Sequence, residues 1–317
     1  MTGLRILVVR LGAMGDIFHA LPAVASLKQS FPHSELTWAV DQKWADLLDG
    51  NPFVDHAALV DRKSFASLIA LREKLRQSRF DFAVDLQGLI KSALIAASAR
   101  PDRIYGFHRS QVREGLAALF YSHSVRSHAS HVVDQNLELI KAAGATNVVR
   151  SFYIPQGKPE GLLPSRDFVL ANPFAGWGSK QWPLEYYSEL ARMLRSEHGL
   201  DLVLNVSGDT PPVSGAHMHV SGLPGLIDAT RRAVAVVGLD SGPLHLAAAL
   251  GKPGVAIFGP TDPDRNGPYG NSIAILRSAG VKTTYKRRAE IDPSMRAIRP
   301  LRVFEALKAR MFCRAEP

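Results

Sequence analysis

The chain is 317 residues long, with 46% hydrophobic residues, 21% charged residues and a formal net charge of +9. This length suits two domains of typical size. A membrane span is excluded because no apolar stretch approaches roughly 20 residues, and the single cysteine, Cys313, excludes an internal disulfide and a cysteine-rich metal site. Residues 1–10 show no signal-peptide pattern, so we expect a cytoplasmic protein.

The first half of the chain alternates apolar runs with segments of helical periodicity. Residues 5–9 form a continuous apolar run, which is typical of a parallel strand buried on both faces. Apolar residues then recur at helical spacing from Ile17 to Phe31. The same reasoning predicts strands at 36–40 and 82–86, and helices at 89–99, 116–121 and 135–143.

A second alternation follows a break near residues 153–165, where residues 154–161 hold two prolines and two glycines. Its predicted strands are 168–171, 202–206, 234–237, 255–258 and 273–276, and a basic amphipathic helix is predicted at 300–312. Two such series predict an α/β protein of two Rossmann-like, doubly wound domains that face each other across a central cleft. We assign the domains to residues 1–157 and 165–297, with a C-terminal helical segment, 298–317, that packs back toward the N-terminal domain.

The segment 239–246, Leu-Asp-Ser-Gly-Pro-Leu-His-Leu, carries the clearest sign of a ligand site. It follows a predicted strand and begins a helix, whose free amides and positive dipole end attract anions. Asp240 and His245 add a carboxylate and an imidazole beside this predicted phosphate site. On its own, the segment is equally consistent with an ordinary strand–helix turn capped by Asp240 and Ser241.

Two further turns hold candidate residues. The first strand–helix turn, residues 10–16, has glycines that permit a tight turn but lacks the full dinucleotide fingerprint, so it favours NAD only weakly. Asp16 is either a helix-start charge or a carboxylate that takes a proton from an acceptor hydroxyl. Lys180 precedes Pro183, which suits the first turn of a helix. Lys180 is either an exposed loop lysine or a cation that neutralises a diphosphate.

The excess of positive charge indicates an anionic partner. Residues 277–317 alone contain eleven basic and four acidic residues. Such a surface attracts nucleic acid, anionic lipid head groups or a phosphorylated substrate, although a merely solvated basic surface remains an alternative. We do not expect nucleic acid, because the sequence shows no helix-turn-helix, zinc or aromatic ribonucleoprotein signature.

Several separated segments, taken together, resemble glycosyltransferase family 9, the ADP-heptose:lipopolysaccharide heptosyltransferases. They are residues 14–16, 21–23, 85–92, 113–121, 179–183, 239–246 and 258–262, with 295–298 fitting the family's closing helix. Each segment is unspecific alone, whereas their combination and order are specific. Residues 85–92 and 113–121 favour the heptosyltransferase I branch over its relatives.

This resemblance implies a GT-B fold and an inverting, metal-independent transfer of L-glycero-D-manno-heptose from ADP-heptose, without a cofactor. Asp16 matches the family's proposed general base, Lys180 its contact to the donor diphosphate, and Asp240 a residue that binds heptose hydroxyls. The residues that match the turn and helix start around the phosphates are Ser241, Gly242 and His245. Ala175 and Gly176 stand where relatives commonly place hydroxyl residues, so they offer backbone contacts at best.

The implied acceptor is the anionic Kdo-lipid A inner core of lipopolysaccharide. Its contacts are expected at the helix start and at basic residues of the first domain, namely Gly15, Arg62, Lys63, Lys91, Arg109 and Arg113. An anionic acceptor of this kind would explain the excess of positive charge, and it suggests peripheral attachment to the inner face of the cytoplasmic membrane.

Three alternatives remain open at this stage. The first is another family 9 transferase, such as a heptosyltransferase II-like enzyme or one with a different acceptor. The second is a non-catalytic sugar-nucleotide-binding or polyanion-binding protein, and the third is a Rossmann dehydrogenase. The residue that binds the nucleotide ribose is also unassigned, with Asp209 as a candidate. Ser241 stands where heptosyltransferase I carries Thr, which is a mild change.

Overall fold

The computed structural model describes residues 3–312 and divides the chain into two compact units, one up to Pro155 and one from Gln156 onward. This division falls inside the predicted linker at residues 153–165. Each unit contains one six-stranded sheet in which every paired strand is parallel. Within the described residues, no helix is long and apolar enough to cross a membrane.

The first unit has six strands, four helices and two 3₁₀ helices. The strands are β1 (Arg5–Val9), β2 (Glu35–Asp41), β3 (His56–Val60), β4 (Phe82–Asp85), β5 (Arg103–Phe107) and β6 (His123–Val125). The helices are α1 (Met14–Ser30), α2 (Phe65–Ser78), α3 (Ile90–Ser98) and α4 (Val132–Ala142), with 3₁₀ helices at Gln42–Leu48 and Gly115–Phe120.

The order of strands in the first sheet is β3-β2-β1-β4-β5-β6. The chain therefore builds outward from β1 in one direction and from β4 in the other. In such doubly wound sheets, ligands bind where the order reverses, outside the carboxyl ends of the strands. The loops that follow β1 and β4 lie side by side at this point, which places the predicted residue Asp16 there.

The second unit repeats this design with twelve further elements and one 3₁₀ helix, Gly178–Lys180. Its strands are β7 (Phe168–Ala171), β8 (Asp201–Val206), β9 (Ala216–Val220), β10 (Ala235–Leu239), β11 (Gly254–Phe258) and β12 (Ile273–Arg277). Its helices are α5 (Leu184–His198), α6 (Leu223–Arg232), α7 (Gly242–Ala249), α8 (Pro263–Asn266), α9 (Pro293–Arg296) and α10 (Pro300–Phe312). The order β12-β11-β10-β7-β8-β9 puts the reversal between β7 and β10.

Helix α10 packs on the second unit, which differs from the predicted packing of residues 298–317 toward the N-terminal domain. It contacts α5, β11 and β12. Val303, Phe304 and Leu307 are buried in the core of this unit, and Trp182 Nε1 donates to the carbonyl of Ile298 at 2.8 Å. The amphipathic face thus covers the sheet to which the chain is already joined. Residues 313–317 of the predicted segment lie outside the described residues.

Candidate active site

Asp16 occupies the first turn of α1, directly beyond the end of β1. One carboxylate oxygen accepts from the Ala13 amide at 2.9 Å, and the other lies 2.7 Å from Arg10 Nη2. The Asp16 side chain is 40% exposed, whereas that of Arg10 is only 8% exposed. Asp16 therefore caps the helix, as the local interpretation expected, and still presents its carboxylate to solvent.

Arg10 fixes the loop that carries Asp16. Its guanidinium also donates to the carbonyl of Leu86, which follows β4. The Leu11 amide donates to Gln87 Oε1 at 2.6 Å, so the loops after β1 and β4 are joined twice. Sequence reasoning did not single out Arg10, although its place at the end of a buried strand and six residues before Asp16 was a usable signal.

The two segments that favoured the heptosyltransferase I branch form one buried network around Asp85. Its carboxylate accepts from Tyr121 Oη at 2.7 Å and from Ser92 Oγ at 2.9 Å, and from the amides of Gln87 and Gly88. Burial raises the pKa of Asp85 despite these hydrogen bonds, and burial beside Asp85 also raises the pKa of Tyr121. This network holds the start of α3 against residues 115–121.

Gly106 allows that network to form. A Cβ at this position would lie 2.3 Å from Cε2 of Tyr121, so only glycine leaves room for the tyrosine ring. A further hydrogen bond joins residues 85–92 to residues 113–121, since Glu114 Oε2 accepts from the Ile90 amide at 2.7 Å. Residues 85–92 and 113–121 are thus a structural unit that positions neighbouring surface residues.

The predicted acceptor-binding residues lie around residues 85–92 and 113–121, and they differ in whether their side chains already have a partner. Lys63, Arg109 and Arg113 are exposed, and within residues 3–312 their side chains make no hydrogen bond or ion pair. Lys91 Nζ donates to the carbonyl of Arg62 at 3.0 Å. The Arg62 guanidinium pairs with Asp41, so much of its charge is already neutralised. Gly15 is the second residue of α1, beside Asp16.

In the second unit, Lys180 and Asp240 meet although they are 60 residues apart in sequence. Lys180 Nζ lies 2.9 Å from Asp240 Oδ2 and 2.6 Å from the Asp240 carbonyl oxygen. Their side chains are 9% and 18% exposed. Lys180 is therefore a mostly buried, paired cation, and the alternative of an exposed loop lysine is wrong. It reaches Asp240 because β7 and β10 are adjacent strands.

Helix α7 begins directly after this ion pair. Ser241 is the N-cap residue, but its Oγ donates to the Leu239 carbonyl at 3.3 Å and does not cap the helix. The alternative in which the Ser241 side chain caps this helix is therefore wrong. Gly242 opens the helix, and His245 is buried in its first turn. The Gly242 amide thus does not donate to the Ser241 side chain, which suits an anion, whereas Pro243 has no N–H and the Leu244 amide donates to the Ser241 carbonyl at 3.2 Å.

The loop between β7 and Lys180 brings in an unpredicted aromatic residue, Trp177. Lys180 Nζ lies 4.0 Å from the centroid of its ring, a cation–π distance. Ala175 is half-buried and Gly176 is exposed, and a Cβ at Gly176 would contact nothing within 4 Å. Open space therefore surrounds the backbone at Gly176.

Two remaining expectations concern the ribose contact and a metal ion. Asp209, the candidate for the ribose, lies in an exposed turn after β8, and its side chain makes no hydrogen bond or ion pair among residues 3–312. Over the same residues, no group of three or more His, Cys, Asp or Glu side chains is arranged to hold a metal ion.

Comparison with known families identifies a match over most of the chain. The model of glycosyltransferase family 9 (heptosyltransferase) matches residues 68–211 and 218–293. Among individual proteins, lipopolysaccharide heptosyltransferase 1 of Escherichia coli K12 is 28% identical over 301 residues, covering 87% of this chain and 94% of the relative. The protein of the same name from Pseudomonas aeruginosa is 27% identical over 311 residues, covering 87% and 84%.

Solved structures agree with this match. The structure of E. coli heptosyltransferase WaaC with ADP superposes with a TM-score of 0.74 at 26% identity, covering 88% of this chain and 95% of that one. E. coli ADP-heptose lps heptosyltransferase II superposes with a TM-score of 0.79, covering 97% and 98%. At 23% identity the latter likeness concerns the fold alone. Both support the GT-B class predicted from the sequence.

Proposed function

The chain belongs to glycosyltransferase family 9, the heptosyltransferases, and from this premise we propose that it transfers L-glycero-D-manno-heptose from ADP-heptose to the Kdo-lipid A inner core of lipopolysaccharide. The second unit binds the donor and the first unit binds the acceptor. The reaction inverts the anomeric centre and uses neither a metal ion nor a cofactor.

One observation carries this proposal, namely the buried Lys180–Asp240 pair at the start of α7. A cation and backbone amides beside a carboxylate match the diphosphate and the sugar of a nucleotide sugar. Lys180 and the amides near Ser241 and Gly242 bind the diphosphate, and Asp240 binds sugar hydroxyls. The likeness to a transferase structure that contains ADP supports this assignment.

Asp16 is the general base in this proposal. Its carboxylate is exposed at the point in the first sheet where the strand order reverses, and Arg10 and the Ala13 amide hold it in place. A held carboxylate that solvent can reach is suited to taking a proton from a hydroxyl. The exposed Lys63, Arg109 and Arg113, together with Lys91, bind the carboxylates and phosphates of the acceptor.

The transfer forms one bond and breaks one bond at the anomeric carbon. The acceptor hydroxyl gives its proton to Asp16 as its oxygen forms a bond to the anomeric carbon of the heptose. The bond from that carbon to the β-phosphate oxygen breaks, and its electron pair leaves with ADP. Lys180 and the amides near Ser241 and Gly242 stabilise the negative charge on the departing diphosphate. Attack opposite the leaving group inverts the configuration.

The direct test is to incubate the pure protein with ADP-heptose and Kdo-lipid A, with and without a chelator. We expect one heptose to be added and equal yields in both arms, which mass spectrometry of the lipid product measures. Product only with a heptosylated acceptor would favour the heptosyltransferase II-like alternative. ADP-heptose binding without any product would favour a non-catalytic protein, and loss of product with chelator would contradict the metal-independent step.

We also propose that the protein works at the cytoplasmic face of the inner membrane, through an apolar patch on the first unit. The patch consists of the exposed side chains Phe65, Ile69, Leu94, Leu116 and Leu119. They lie on α2, α3 and the 3₁₀ helix that follows β5, and α3 contacts both of its neighbours. The exposed Lys63, Lys91, Arg109 and Arg113 lie on the same or adjoining segments. Apolar side chains beside basic residues suit an anionic lipid surface.

Replacing two residues of this patch should weaken lipid binding. Phe65 and Leu119 are 77% and 80% exposed, so Phe65→Ser with Leu119→Ser should leave the fold intact. Because burying one such side chain contributes at least about 1.5 kcal/mol, we expect about tenfold or more weaker binding to phosphatidylglycerol vesicles in a sedimentation assay. Leu162→Ser is the matched control, since Leu162 is 86% exposed on the second unit. Equal binding by both variants would contradict the patch.

A further inference from the structure

A basic segment covers the loops of the proposed donor site. Residues 278–292, between β12 and α9, form no helix or strand, and they contain Lys282, Lys286, Arg287 and Arg288. Two backbone hydrogen bonds attach this segment to the loops of the proposed donor site. The Thr284 amide donates to the Pro260 carbonyl at 2.8 Å, and the Ser179 amide donates to the Arg288 carbonyl at 3.0 Å. Pro260 follows β11, and Ser179 immediately precedes Lys180.

Gly178 makes the second of these attachments possible. A Cβ built at Gly178 would lie 1.6 Å from the carbonyl oxygen of Ala289, so any other residue would force the two segments apart. The glycine at this position therefore lets residues 287–289 lie directly on residues 177–179. This close approach fixes the position of the Arg287 backbone relative to Trp177.

Arg287 lies on Trp177, the same residue that Lys180 contacts. Arg287 Cζ is 5.2 Å from the centroid of the ring, and Lys180 Nζ is 4.0 Å from it. The two cationic centres are thus no more than about 9 Å apart, the sum of these distances. Arg287 is exposed, and within residues 3–312 its guanidinium makes no hydrogen bond or ion pair. Its five N–H donors are available.

The charge balance of the proposed donor site requires a second cation such as the Arg287 guanidinium. Lys180 and Asp240 form a pair with no net charge, whereas the diphosphate of a nucleotide sugar carries two negative charges. The loop before Lys180 offers no hydroxyl at Ala175 or Gly176. A diphosphate bound beside the pair therefore needs a further cation, and a guanidinium matches phosphate oxygens with two parallel hydrogen bonds.

We propose that Arg287, held on Trp177, is a donor-binding residue that pairs with the diphosphate of the nucleotide sugar. This assignment rests on the proposed function. Trp177 positions the guanidinium through its ring face, and Gly178 sets the distance between the two segments. Arg287 then supplies the positive charge that the Lys180–Asp240 pair lacks, both in the bound donor and on the departing ADP.

The test compares Arg287→Ala with Arg288→Ala, which removes the same charge from the next residue of the same segment. Calorimetry of the full-length proteins measures binding of ADP, AMP and adenosine. Because a charge-assisted hydrogen bond contributes about 1.5–3 kcal/mol, we expect Arg287→Ala to weaken ADP binding about tenfold or more. The loss should be smaller for AMP and absent for adenosine. Arg288→Ala should bind ADP as the unaltered protein does, and Arg287→Lys should lie between.

The outcomes separate this inference from the proposed function. If the unaltered protein binds ADP and transfers heptose while both alanine variants bind ADP equally well, the inference fails and the function stands. If the unaltered protein does not bind ADP, the proposed donor is wrong. An equal loss for adenosine and ADP would also overturn the inference, since it would place Arg287 away from the phosphates. Circular dichroism and melting temperature verify that each variant is folded.

Discussion

Asp16→Asn should lower turnover by about 100-fold or more while leaving the affinity for ADP-heptose nearly unchanged. The amide cannot take the proton of the acceptor hydroxyl, and general bases contribute about 10²–10⁴-fold to such steps. The donor is proposed to bind the other unit, so its dissociation constant should not change. Initial rates at saturating donor and acceptor measure the first effect, and calorimetry with ADP-heptose in the absence of acceptor measures the second.

The structure allows this substitution to be controlled. The asparagine side chain would keep an oxygen that can accept from the Ala13 amide, so the start of α1 should survive, but the ion pair with Arg10 would be lost. Asp55→Asn removes a similar pair, because Asp55 Oδ2 lies 2.6 Å from Lys28 Nζ in the same unit and has no proposed role. We expect Asp55→Asn to retain full turnover. Near-normal turnover of Asp16→Asn, with Kdo-lipid A as acceptor, would show that Asp16 is not the base.

Lys180→Met should weaken binding of ADP-heptose by at least about 30-fold and also destabilise the second unit. Removing one partner of a mostly buried, hydrogen-bonded pair costs about 2–5 kcal/mol, because the remaining charge is left without its counterion. Here the remaining charge is the carboxylate of Asp240, which is only 18% exposed. Calorimetry measures the binding, and urea-induced unfolding measures the stability.

A double variant separates the two effects of Lys180. Lys180→Met combined with Asp240→Asn leaves no unpaired buried charge, so stability should recover while binding of ADP, which lacks the heptose that Asp240 is proposed to hold, stays weak. Lys252→Met is the matched control, since Lys252 Nζ donates to the carbonyls of Arg231 and Ala233 in the same unit and has no proposed role. If the double variant regained ADP binding along with stability, Lys180 would have a structural role only.

The two predictions have different structural origins. Asp16 lies on a helix start whose conformation is fixed within a few residues, and its role depends on the carboxylate itself. Lys180 acts through a contact that joins two loops, so its replacement should change both the ligand site and the fold. For Asp16→Asn we therefore expect a large decrease in turnover with little change in the free energy of unfolding. For Lys180→Met we expect a substantial decrease in the free energy of unfolding as well.

The amino-acid sequence by itself determined the α/β class, the position of the break between the units and most central strands. Continuous apolar runs such as residues 6–9 and Phe168–Ala171 are decided locally, because the part of a parallel strand that is covered on both faces must be apolar. Four strands were not predicted, namely the edge strands β3, β6 and β9 and the inner strand β5. The three edge strands are short and partly exposed, so they lack such runs. In β5 the run is short because it begins with Arg103 and contains Gly106. The turns that carry Asp16 and Asp240 were also readable, since glycines and a helix start mark them.

Only the tertiary structure decided which side chains meet. Lys180 and Asp240 are 60 residues apart, and Tyr121 and Asp85 are 36 apart, yet each pair is in hydrogen-bonding contact. The order of strands in the sheets places these loops side by side, and the local periodicity of the sequence does not predict that order. The same reason explains Trp177 and Arg287, whose contact depends on a loop and an irregular segment packed together at Gly178. The packing of α10 on its own unit was also decided by the tertiary structure. An amphipathic pattern predicts that one face of the helix is buried, but it does not predict which sheet covers that face.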